Sequence, residues 1–333
     1  MGLRLLILAP NWLGDAVMAL PAVADVRRGV GDATIAVAAR APVAPLYAMV
    51  PDVNETIVIG RGAAPALRDG SFDAALVLPN SFRAAFIASR ARIPERWGYR
   101  TDWRGPLLTR AIDAPVRVHQ VEYYQQLVRA LGFPSGPSAP RVAVDDVTRA
   151  AGDAALRRAG WDGRAPFVAL APGAAYGAAK RWPPASFAEL ARHLASDGFA
   201  CAMVGSAADA ATGREIEAAP GTPVRTLNLI GATGLRELAG VLAHARGVVS
   251  NDSGAMHLAA AVGVPVVAIF GPTDETVTSP GGPLALSPEP LALRVLTHAV
   301  WCRPCMLREC PLDHACMTGV TVGAVLDATR RVL

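Results

Sequence analysis

Lys180 is the only lysine in the chain, so 31 of the 32 basic residues are arginine. A lysine kept in so Arg-rich a composition suggests a position that needs a compact ammonium rather than a planar fork. It ends a run of small residues, Pro172-Gly173-Ala174-Ala175-Tyr176-Gly177-Ala178-Ala179-Lys180-Arg181. Small side chains let backbone N–H groups close on an anion, and the lysine adds a point charge, so this run reads as a phosphate loop. A second run, Ser250-Asn251-Asp252-Ser253-Gly254-Ala255-Met256-His257, reads as strand, polar turn and helix start. The amides of Ser253 and Gly254 would then face a diphosphate from a helix N-terminus. Asp252 would orient the turn or bind a hydroxyl, and His257 and Thr273 lie on the same rim.

Asp15, in Asn11-Trp12-Leu13-Gly14-Asp15, stands near a helix start after the first apolar run. It reads either as a helix cap or as a general base aimed from a rigid strand end. Asn80-Ser81-Phe82-Arg83, Arg96-Trp97-Gly98-Tyr99-Arg100 and Arg104 interleave arginines with aromatic rings. Such a mixture suits an anionic sugar, although solvated surface arginines look the same in a sequence. Cys302, Cys305, Cys310 and Cys316 offer thiolates at short spacing, as zinc or iron–sulfur sites do, but the spacing is not that of repeated Cys-x2-Cys pairs. Whether they hold anything stays open, and no residue is assigned as a metal ligand.

These residues must be positioned by a scaffold. At about 150 residues per domain, 333 residues imply two domains. Unbroken Val/Ile/Leu runs predict strands covered on both faces at 3–9, 34–39, 56–59 and 74–78. After the Pro-rich stretch 134–140 the rhythm restarts at 167–170, 200–204, 225–229, 247–250 and 264–270. The expectation is an α/β chain of two doubly wound Rossmann-like domains, 1–145 and 146–333, facing across a cleft. The last helix is allowed to pack back on the N-terminal domain, and ligands are expected at the carboxyl ends of the strands.

Several classes are excluded. No Gly-x-Gly-x-x-Gly follows the first strand, and Lys180 is followed by Arg181, which rules out the dinucleotide and P-loop patterns. Residues 1–9 imitate a signal peptide until Pro10, Asn11 and Asp15 end the apolar run. A net charge of +4, spread along the chain, does not indicate a nucleic-acid partner. The expected location is cytoplasmic.

Taken in order, these motifs resemble the bacterial ADP-heptose–lipopolysaccharide heptosyltransferases, glycosyltransferases of GT-B fold. The resemblance runs through Asn11–Asp15, Asn80–Arg83, His119-x-Val121-Glu122-Tyr123-Tyr124, Pro172–Pro183, Asn251–His257 and Gly271–Thr273. The cysteine run points to the type II branch. It implies an inverting transfer of heptose from ADP-heptose to the first heptose of a lipid A–Kdo acceptor, beside the inner face of the inner membrane. Asp15 would be the base and Lys180 the cation on the departing diphosphate. Asp252, Ser253, Gly254, His257 and Thr273 would complete the donor site, with Asp209 toward the adenosine. Asn11, Asn80, Arg83, Arg96, Arg100 and Arg104 would meet the acceptor. The resemblance implies no required cofactor. Ala174-Ala175 departs from relatives that place hydroxyls there, leaving more to Lys180 and backbone amides. Competing readings are another sugar nucleotide or core acceptor on the same fold, and a nucleotide-sugar-binding protein without catalysis.

Overall fold

The first apolar run, predicted as a strand at 3–9, forms a central strand. In the computed structural model, which describes residues 2–60, 62–220, 226–282 and 292–333, Arg4–Leu8 (β1) is buried from Leu5 onward and hydrogen-bonded on both sides. It belongs to a first unit that runs to Ala143 and takes in Gly282. A second unit runs from Val144 to Gly281 and resumes in residues 292–333.

In the first unit β1 is joined by Thr34–Arg40 (β2), Glu55–Ile59 (β3), Ala74–Val77 (β4), Glu95–Tyr99 (β5) and Arg110–Ile112 (β6). All pairs are parallel, in the order β3-β2-β1-β4-β5-β6. The second unit repeats this plan with Phe167–Ala171 (β7), Ala200–Met203 (β8), Thr226–Asn228 (β9), Gly247–Asn251 (β10), Val266–Phe270 (β11) and Leu293–Thr297 (β12). Its order, β12-β11-β10-β7-β8-β9, is the same doubly wound arrangement. In such a sheet the chain reverses direction of growth beside its first strand, between β1 and β4 and between β7 and β10. There the loops at the carboxyl ends diverge and leave a crevice.

The central strands β1, β4, β7, β10 and β11 are almost wholly buried, which is why their apolar runs are unbroken. The sequence reading did not expect β5, β6 or β12. Of these, β6 and β12 are sheet edges, half-exposed and carrying Arg110 and Arg294, so no apolar run marks them. The stretch Arg96–Arg100, read as a sugar-binding patch, lies mostly in β5, between β4 and β6.

Cys201 is core, its thiol pushed up to about 12 by burial. The final helix, Val322–Arg330, buries Val325, Leu326 and Ala328 in the second unit's own core, and Arg330 pairs with Asp197 at 2.8 Å. Those apolar residues of the helix thus belong to the core of the second unit. Trp182, fully buried, seats edge-on against Phe187 and donates to the Val320 carbonyl at 2.8 Å. That anchor fixes the chain immediately after Lys180.

Candidate functional site

In the second unit, three carboxyl ends bring their loops together. The loop after β7 is tied to β10 by Asn251, which is fully buried. Its carboxamide donates to the Pro172 carbonyl at 2.7 Å and accepts from the Trp182 amide at 3.1 Å. Lys180, at the end of the turn Ala178–Lys180, is 9% exposed, and its Nζ lies 2.5 Å from Asp252 Oδ2. The same oxygen accepts the Thr273 hydroxyl at 2.7 Å from the loop after β11. Lysine, carboxylate and threonine therefore form one buried cluster built from residues the sequence had singled out separately.

Beside it begins the helix Gly254–Val262. Its N-cap, Ser253, makes no side-chain cap bond, and its Oγ lies 3.1 Å from Ser250 Oγ. The first-turn amides of a helix have no partner within it, and here no side-chain cap answers them, so the positive end is presented as the sequence suggested. His257 is buried within this helix.

Asp209 closes a turn in the second unit. Its Oδ2 accepts from the Ser206 amide at 3.0 Å and hydroxyl at 2.8 Å, closing the turn Ala207–Asp209. Gly173 backs onto this carboxylate so closely that a Cβ there would fall 2.3 Å from it. Oδ1 faces Arg181 at 3.8 Å. So engaged, this carboxylate shapes the loop.

The cysteine run is a strap across this site. The Tyr176 hydroxyl donates to the Met306 carbonyl at 2.7 Å, the Ala179 amide donates to the Arg308 carbonyl, and the Met306 amide donates to the Pro272 carbonyl. Arg303 reaches the Gly271 carbonyl at 2.6 Å and Glu275 at 2.5 Å. Cys302, Cys305, Cys310 and Cys316 are free thiols lining a cavity of about 420 Å³. Burial raises the Cys316 thiol, and the other three add to the shift. Among the described residues no group of three or more His, Cys, Asp or Glu is arranged to hold a metal ion.

In the first unit, Asp15 is the third residue of the helix Leu13–Met18; the N-cap is Trp12, so Asp15 is not the N-cap residue. It is half-exposed, in the first turn after β1. Behind it is Tyr124, buried in the helix Gln120–Ala130, whose phenol is held well above its usual range by burial and then by the charge of Asp15. The segment His119–Tyr124 has further uses. The His119 ring accepts from the Val121 amide, and the Tyr123 hydroxyl donates to Asn80 Oδ1 at 3.1 Å.

The arginines separate into two sets. Arg83, in the first turn of the helix Phe82–Arg90, is exposed and lines a cavity of about 260 Å³ with Asn11, Ser81 and Arg40. Arg40, which the sequence reading passed over, ends β2 at the same rim. Arg96 and Arg104, expected to meet an acceptor, are instead structural. Arg96 donates to the carbonyls of Leu107, Ile93 and Pro94. Arg104 is fully buried and clasps the carbonyls of Tyr99 and Pro79, with burial lowering its guanidinium to about 10. It joins the ends of β4 and β5. Gly98 leaves it room, since a Cβ there would stand 3.3 Å from Nη2. Arg100 is exposed and only loosely faces Asp113, at 3.8 Å.

The profile of glycosyltransferase family 9 (heptosyltransferase) matches residues 62–316. The lipopolysaccharide heptosyltransferase 2 of Salmonella typhimurium is 33% identical over 319 residues, 89% of each chain. The solved structure of the ADP-heptose heptosyltransferase II of Escherichia coli superposes with a TM-score of 0.85 at 30% identity, covering 99% of this chain and 98% of that one. An E. coli heptosyltransferase solved with ADP shares the fold at 19% identity, with a TM-score of 0.74 and coverage of 99% and 100%.

Proposed function

From the premise that the chain belongs to glycosyltransferase family 9, the heptosyltransferases, we propose that it moves L-glycero-D-manno-heptose from ADP-heptose to the first heptose of a lipid A–Kdo inner core. The observation that carries this reading is the buried Lys180–Asp252–Thr273 cluster beside the helix start at Ser253 and Gly254. As the bond to ADP lengthens, the anomeric carbon becomes cation-like and negative charge gathers on the diphosphate. A fixed ammonium and aligned amides stabilise that charge without reorganising; removing one such donor from an oxyanion hole costs roughly 2.7–4 kcal/mol. Asp15 takes the proton of the acceptor hydroxyl, a contribution of roughly 10²–10⁴-fold, and attack on the face opposite the leaving group inverts the centre.

Arg83 and Asn11 serve the acceptor, joined by Arg40, because guanidiniums around one cavity suit the carboxylates or phosphates of an inner core. Asn80, oriented by Tyr123, stands with them, as does Arg100. With charge on the leaving group met by side chains and amides, no step calls for a divalent cation. The acceptor being a lipid, we place the enzyme peripherally at the inner face of the inner membrane. No helix of the described residues is long and apolar enough to cross a membrane.

The test is transfer from ADP-heptose to a purified core acceptor in buffer containing EDTA. Turnover should persist in EDTA, and Asp15→Ala should abolish it while ADP still binds by calorimetry. Turnover that survives in Asp15→Ala would remove Asp15 as the base. Activity lost in EDTA and restored by Mg²⁺ would overturn the metal-free mechanism.

A further inference from the structure

The charges around Lys180 leave a shortfall. Its ammonium is paired with Asp252 at 2.5 Å, so the two together carry no net charge to the site. Arg303 is paired with Glu275, and Arg181 faces Asp209. A sugar–nucleotide diphosphate carries a negative charge on each phosphorus and gains more as the sugar departs. A lysine already neutralised by a buried carboxylate can orient such a group, but it answers only part of its charge. The helix-end amides at Ser253 and Gly254 answer part of the remainder, and the strap carries a further cation.

Arg308 lies on that strap, between Cys305 and Cys310, with its guanidinium carbon 5.1 Å from the centroid of the Tyr176 ring. Lys180 Nζ is 4.7 Å from the same centroid. One aromatic ring thus contacts both cations; cation–ring attraction of this kind is worth about 0.5–1 kcal/mol at exposed sites. The ring is itself held, since the Tyr176 hydroxyl donates to the Met306 carbonyl, and the Arg308 carbonyl accepts from the Ala179 amide next to Lys180. Among the described residues the guanidinium of Arg308 has no carboxylate partner, and it is exposed. A planar fork and an ammonium on one ring are the two kinds of cation that take a diphosphate, bidentate from the arginine and as a point charge from the lysine.

We propose that Arg308, in contact with the same Tyr176 ring as Lys180, is a second diphosphate-binding cation of the donor site and brings the net positive charge that the Lys180–Asp252 pair lacks. This rests on the reading of the second unit as a nucleotide–diphosphate site. Tyr176 is a positioning residue. The cysteine strap then has a use beyond its thiols: it carries a donor contact to the Lys180 loop.

Calorimetric titration of the full chain with ADP and with AMP tests this. Arg308→Ala should weaken ADP about tenfold or more, the size of one lost charge-assisted hydrogen bond, and AMP far less. Arg308→Lys should recover part of the loss. Tyr176→Phe, which keeps the ring but loses its hydrogen bond to the Met306 carbonyl, should weaken ADP less than Tyr176→Leu, which should fall toward Arg308→Ala. Because Arg308 is exposed, its replacement should leave the thermal midpoint unchanged. ADP affinity of Arg308→Ala within twofold of wild type, with Lys180→Met still impaired, would overturn this proposal alone. Failure of the wild-type chain to bind ADP at all would instead sink the reading of the site.

Discussion

Lys180 has two partners to satisfy, and they make opposite demands. Asp252 needs the ammonium for stability, because a buried carboxylate stripped of its cation is costly. Removing one partner of such a pair destabilises by about 3–5 kcal/mol, whereas removing both can be neutral. In the donor site proposed above, the diphosphate needs the same ammonium for binding. These demands separate in a pair of variants. Lys180→Met should lower both the thermal midpoint and ADP affinity, leaving Asp252 with only the Thr273 hydroxyl. Lys180→Met combined with Asp252→Leu should regain much of the midpoint while ADP affinity stays lost. Recovery of ADP binding in the double variant would show that Lys180 serves the fold and not the ligand. Arg104 teaches the complementary lesson. Its guanidinium is buried and donates hydrogen bonds to the carbonyls of Tyr99 and Pro79, so it is no more available to an acceptor than a core leucine.

The loop after β7 and the cysteine strap touch at Gly177. Its φ of 166° is ordinary extended backbone, so conformational freedom is not what requires glycine. Space is: a Cβ would lie 2.3 Å from the Arg308 carbonyl oxygen and 2.8 Å from its carbonyl carbon. Backbone cannot yield as a flexible side chain can, so Gly177→Ala must push the strap from the Lys180 loop. Several-fold weaker ADP binding and a lowered thermal midpoint are expected. Gly323→Ala, in a helix with nothing within 4 Å of the new methyl, should be neutral or stabilising by up to about 1 kcal/mol. Equal behaviour of the two would show that the contact bears no load. Contacts of this kind are what the sequence could not disclose. Strands β1, β2, β4, β7, β8, β10 and β11 were legible because burial on both faces leaves uninterrupted apolar runs. The motifs were legible because they sit where those runs end. Strand β5 was hidden by Arg96, whose guanidinium is satisfied by carbonyls nearby in the fold, and residue types do not reveal whether an arginine faces water, substrate or backbone. The joining of residues 176–180 to 306–308 spans too much chain for any spacing rule to find.

Across the chain as a whole, arginine dominates the positive charge, yet a net +4 is too little to hold a protein on an anionic surface by attraction alone. The first unit supplies a second ingredient. Phe82 and Phe86, stacked at 6.1 Å on one face of the helix Phe82–Arg90, are each 45% exposed. Trp103 is 93% exposed on a loop that Asp102 ties to that helix by accepting the Phe82 amide at 2.5 Å. Exposed aromatic rings next to Arg83 and Arg100 have the composition of a surface that sits at the headgroup level, rings toward the acyl boundary and guanidiniums toward phosphate. Arg83, Ala84 and Ile87 of the same helix line the cavity that the proposed function gives to the acceptor. The chain should therefore co-sediment with vesicles containing anionic lipid at low salt and be released as salt rises. A variant with Phe82, Phe86 and Trp103 each changed to serine should bind vesicles weakly even at low salt, with ADP affinity untouched, since all three rings are on the surface of the first unit. Vesicle binding that is indifferent to salt would show that the arginines take no part. Binding that survives the triple change would place the lipid contact on another face.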